Sequence, residues 1–173
     1  MEAIDPTTQE GMRILTLRAV EFCRKELETS GDFEQHFGLR VGSKTEDFKL
    51  STWAAASSLT RIFEEAHKEA QRAHANTLIL MLRRPMASLN RQLALELWDS
   101  ILVVTQTERR TAIAMLPFRK TNAGLEFAEL QKGECETETV ATPQVIFQNL
   151  GYVADARALD DVRKGRGRAC IWN

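Results

Sequence analysis

A chain of 173 residues with 43% apolar and 27% charged residues can bury a sizeable core, as one domain or two small intimate ones, without disulfide staples. A formal net charge of −1 excludes a molecule-wide field that would steer it onto nucleic acid or a membrane. The balance hides a split: residues 1–75 carry 10 Lys+Arg against 13 Asp+Glu (−3), and residues 76–173 carry 13 against 11 (+2).

After an irregular lead-in, Thr7 or Thr8 is placed to cap a helix that runs to about Glu28. At 100° per residue, Met12, Leu15, Ala19, Val20, Phe22, Cys23 and Leu27 share one broad face, with Arg18, Glu21, Arg24 and Lys25 opposite. Ile14 and Leu17 fall outside that face and form a second small apolar spot, a candidate contact for a second copy or a partner. Residues 29–32 carry turn chemistry. Gly38 and Gly42 argue against a long helix over residues 33–49, where a turn or two of helix followed by loop is expected.

The strongest helical pattern starts at Ser51 or Thr52 and reaches about His74. Ala56, Leu59, Ile62, Phe63, Ala66, Ala70 and Ala73 line one stripe. Its alanine end predicts close approach to another helix, either the first one or a second copy of this one. Beyond Asn76 the period changes. Thr77 to Leu82 is continuously apolar, as in a strand covered on both faces. Residues 93–98 alternate as a strand, although their composition also suits a helix. Ile101–Thr107 and Thr111–Leu116 read as a hairpin, stopped by Pro117. Leu125–Leu130 alternates again after Asn122-Ala123-Gly124. Residues 131–142 read as a mobile acidic loop, and Thr142-Pro143 as the start of C-terminal helices. The expected architecture is α+β: two long amphipathic helices (1–75, a helical hairpin), then an antiparallel meander of four or five strands with one or two C-terminal helices (76–173), packed as one unit.

Signals for chemistry are sparse. Cys23, Cys135 and Cys170 are odd in number and lack CxxC spacing, so neither a disulfide framework nor a structural zinc site is expected, and Cys23 reads as a small buried hydrophobe. Cys135 lies between two glutamates that blunt its thiol. Cys170 lies in a basic segment that favours the thiolate. Glu64 and His67 make half of a di-metal E-x-x-H pair, and no second half exists, so no metal and no cofactor are expected. No phosphate-loop, dinucleotide-binding or nucleophile-elbow motif occurs, and no catalytic residue is assigned. No apolar run is long enough to span a bilayer, and no basic start leads into an apolar leader. The expected setting is therefore cytoplasmic and reducing, with no membrane partner.

The expected function is that of a non-enzymatic, self-associating interaction or assembly protein. Its contact residues would be Ile14, Leu17, Ala66, Ala70 and Ala73, with Ile171 and Trp172 at the C-terminus. The alternative is a nucleic-acid-associated protein that uses Arg163, Lys164, Arg166 and Arg168 of the RKGRGR segment, helped by Arg83, Arg84, Arg109 and Arg110. A small enzyme of unrecognised type is a further alternative.

Salt dependence separates the two leading readings. If the RKGRGR segment neutralises phosphates, log affinity against log salt has a slope of about −3 for its four cations, and replacing them with Gln abolishes binding. If Ile171 and Trp172 dock instead, the Gln changes do nothing, and removing the last five residues costs about 1.5–3 kcal/mol for each of the two side chains in denaturation. A chain that ignores nucleic acid and tolerates the truncation contradicts both.

Overall fold

The computed structural model describes residues 4–41, 44–49, 59–85, 87–88, 98–107, 109–136 and 152–153. Helix α1 (Gln9–Ser30) is followed by strands β1 (His36–Val41) and β2 (Lys44–Lys49), then by helix α2 (Leu59–Arg72). Strands β3 (Thr77–Pro85), β4 (Ala87–Ser88), β5 (Asp99–Thr107), β6 (Arg110–Thr121), β7 (Gly124–Phe127), β8 (Gln131–Glu136) and β9 (Tyr152–Val153) complete the described elements. The class is α+β. Seven strands form one sheet in the order β2-β1-β3-β5-β6-β7, with β8 also paired to β6, while β4 and β9 pair separately. Every pairing is antiparallel. Strands from both sides of the boundary expected at residue 75 hydrogen-bond in the same sheet.

Alternation along the central strands sends neighbouring side chains to opposite faces. On β3, Leu78, Leu80 and Leu82 join one buried cluster, and Ile79 and Met81 join the other. On β5, Leu102 and Val104 enter the first cluster, while Ile101 and Val103 enter the second. Ile62, Phe63 and Ala66 of α2 complete the first cluster; Val20, Cys23 and Leu27 of α1 complete the second. The helices therefore cover opposite faces of the sheet. This is why β3 reads as an unbroken apolar run instead of alternating.

The expected strands at residues 77–82, 101–107, 111–116 and 125–130 are present as β3, β5, β6 and β7, with different ends. Pro117 does not stop β6, which continues to Thr121. The Pro117 carbonyl accepts the Ala128 N–H at 3.0 Å, so it points toward the β7/β8 edge. The backbone N of a strand residue points to the same edge as its carbonyl. The missing N–H of Pro117 thus falls where β7 has ended and β8 has not begun, and no ladder bond is lost there.

Three expectations are corrected. Residues 36–41 and 44–49 pair as β1 and β2 and not as a short helix with loop: Phe37 and Leu39 alternate into the core, and His36–Arg40 pair with β3. Residues 131–136 form β8 and not a mobile loop, because they complete the β6 ladder from Arg110 to Met115. Among the described residues the alanine stripe of α2 meets the sheet and not α1. Ala66 is fully buried in the sheet-facing cluster, with Ala70 and Ala73 packed against it. The expected helix start at residues 51–58, the strand at 93–97 and most of the region expected to form C-terminal helices lie outside the described residues; within that region Tyr152–Val153 pair with Ala87–Ser88 as strand.

Ala66→Leu should cost about 1–3 kcal/mol of stability by overpacking the space between α2 and the sheet, as read by chemical denaturation. A neutral or stabilising result would place that face away from the core.

Candidate functional site

Helix α1 begins at a hydrogen-bonded turn. The Thr8 hydroxyl donates to the Asp5 carbonyl at 2.9 Å and accepts the Gly11 N–H at 3.0 Å, making Thr8 the N-cap. A Cβ on Gly11 would fall 1.8 Å from the Asp5 carbonyl oxygen, so only glycine allows this turn. At the other end Gly31 adopts φ 76° and donates its N–H to the Leu27 carbonyl, a left-handed cap.

The strip facing the sheet is Met12, Thr16, Val20, Cys23 and Leu27. Thr16, polar in sequence, is fully buried at its centre. Its hydroxyl lies 2.7 Å from the Met12 carbonyl and 2.8 Å from the Thr105 hydroxyl on β5, so the buried oxygens satisfy one another. Burial, then the Glu26 charge, pushes the Cys23 thiol up to about 12, and this cysteine acts as the buried hydrophobe expected. Arg13 pins one flank of α1 to β8 through two hydrogen bonds to the Glu134 carboxylate, at 2.7 and 3.1 Å, and Gln9 donates to the same carboxylate. Arg24 lies over the Phe127 ring at 5.0 Å.

This docking fixes what α1 turns outward. Leu17 is 37% exposed and Phe22 is 49% exposed. Phe22 is expected from sequence on the buried face, but the buried strip centres on Thr16, and Phe22 lies more than a quarter-turn away from that centre. Its ring meets His36 of β1 edge-on at 6.2 Å between centroids. Ile14 is half-buried, and Arg18, Glu21 and Lys25 beside it are exposed. The outer face of α1 is therefore apolar at three places with charges between them.

Other singled-out residues have internal duties. Arg83 donates to Asp99 at 2.7 and 3.1 Å and to Asp32 at 2.9 Å, with its guanidinium 5.4 Å from the Phe118 ring centroid. Arg84 is only 9% exposed, and Arg109 is exposed. The His67 ring nitrogens lie 2.7 Å from the Phe63 carbonyl and 2.7 Å from the buried Gln106 side chain, so the imidazole of the E-x-x-H pair is occupied on both sides. Among the described residues no group of three or more His, Cys, Asp or Glu is placed to hold a metal, and no helix is long and apolar enough to cross a membrane. Arg163, Lys164, Arg166, Arg168, Cys170, Ile171 and Trp172 lie outside the described residues. Comparison with family models, curated proteins and solved structures returns no match.

The Arg13–Glu134 clamp has a pH signature. Burial raises the affinity of the Glu134 carboxyl for protons, but the hydrogen bonds from Arg13 and Gln9 and the charges of Arg13 and Arg110 outweigh it and hold its pKa below the usual 4.5. A carboxyl that binds protons more weakly when folded stabilises the fold above its unfolded pKa, and that contribution is lost as pH falls through the folded pKa. Glu134→Gln should cost about 0.2–1 kcal/mol at pH 7, with the gap to the unaltered chain closing toward pH 3 in denaturation curves. A gap that does not narrow with falling pH would show that the charge of Glu134 is not its source.

Proposed function

We propose that this chain is a non-catalytic assembly protein that associates with a second copy of itself through the outer face of α1. The observation that carries the reading is the exposure of Leu17 and Phe22 on a helix whose opposite strip is fully committed to the sheet. Ile14 extends the same face by one turn. Scattered exposed apolar residues are ordinary, but exposed Leu17 and Phe22 with half-buried Ile14 between them, held on a rigid element, form a surface that another protein can use. Ala66, Ala70 and Ala73, named from sequence as contacts, have a partner in the sheet of their own chain, which leaves α1 as the better support for association. The alternative, nucleic-acid association through Arg163, Lys164, Arg166 and Arg168, rests on composition alone. Arg83 spends its guanidinium on two carboxylates.

Leu17→Glu combined with Phe22→Glu should lower the solution mass to that of one chain, read by light scattering. Stability should change by no more than about 0.5 kcal/mol per site, as for surface positions. An unchanged mass above that of a monomer would remove α1 from the interface. Loss of the fold would show that these side chains belong to the core.

A further inference from the structure

We propose that two α1 helices pair antiparallel about a twofold axis, with Arg18 of each copy opposite Glu21 of the other. The inference rests on the self-association reading above and specifies its geometry.

Residues 14, 18, 21 and 25 fall on one strip of α1, opposite the buried strip of residues 12, 16, 20, 23 and 27. The outer strip reads Ile14, Arg18, Glu21, Lys25. Most charged residues of α1 already have a partner. Arg13 is bound to Glu134, and Arg24 to Glu28 at 3.0 Å. Arg18 makes no ion pair among the described residues. Among the described residues Glu21 meets only Lys25, at 3.7 Å, with side chains 51% and 70% exposed respectively, so its carboxylate keeps room for another cation.

A closed twofold contact requires a surface that is complementary to itself. Turned end for end about a point between residues 19 and 20, the outer strip meets this requirement. Arg18 comes opposite Glu21, and Glu21 opposite Arg18. Ile14 comes opposite Lys25, whose methylene stem can cover it. Leu17 and Phe22 flank the strip on opposite sides, so each lies beside its own counterpart across the axis and closes the charged seam from solvent. A parallel pairing would set Arg18 against Arg18 and Glu21 against Glu21, which like-charge repulsion disfavours. This charge order favours a second copy over an unrelated apolar partner.

Charge reversal tests the geometry, with dissociation constants from sedimentation of the full chain and melting curves as a control for folding. Arg18→Glu and Glu21→Arg should each weaken the dimer about tenfold, since each reverses two symmetry-related pairs. The double exchange, Arg18→Glu with Glu21→Arg, should restore the unaltered dissociation constant. A dimer indifferent to the single changes, or not rescued by the double exchange, overturns this pairing while self-association stands. An unaltered chain that is monomeric overturns both.

Discussion

The apolar residues of β5 alternate between two buried clusters: Ile101 and Val103 on one face, Leu102 and Val104 on the other. A sheet apolar on both faces must be covered on both faces. One helix cannot do this, and two helices packed on each other cannot either. The two helices are therefore placed on opposite sides of the sheet, and each has its buried strip fixed by the strands beneath it. Once Thr16 meets Thr105 and Cys23 and Leu27 enter the core, the outward direction of Ile14, Leu17, Arg18, Glu21 and Phe22 is no longer free.

Polar contacts then set the register of the helix on the sheet. Near its first turns, Arg13 and Gln9 hold Glu134 of β8. Beyond its last turn, Asp32 holds Arg83 of β3, which also holds Asp99 at the start of β5 and lies over Phe118 of β6. Ion pairs of this partly exposed kind contribute little stability each. Their consequence is positional, because α1 is fastened near both ends and its outer strip is presented on a rigid rod. A rigid face loses little conformational entropy when a second surface meets it.

Much of this was legible in the sequence. The long apolar runs gave β3, β5 and β6, since burial on both faces leaves a continuous signal, and the first helix was marked by its cap and period. What was missed had physical reasons. β1 was hidden by Gly38 and Gly42, although Phe37 and Leu39 carried the alternation that locates it. β8 is a polar sheet-edge segment in which, of residues 131–134, only Gly133 is buried, so its pairing comes from the β6 backbone and not from its own pattern. Pro117 was read as a terminator because the sequence does not show which edge its nitrogen faces. Phe22 was misplaced for a similar reason: hydrophobicity drew the buried arc of α1 too wide, while Thr16, polar but satisfied by Thr105, marks its true centre. The Ile14/Leu17 spot was visible because charged residues surround it. Its extension by Phe22 needed the docked helix.

The central claim is that the outward face of α1 is an interface. Equilibrium sedimentation of the unaltered chain across the micromolar range measures this directly. The account predicts a mass that rises with concentration toward twice the 19.6 kDa of one chain. A mass that stays at 19.6 kDa throughout would contradict it.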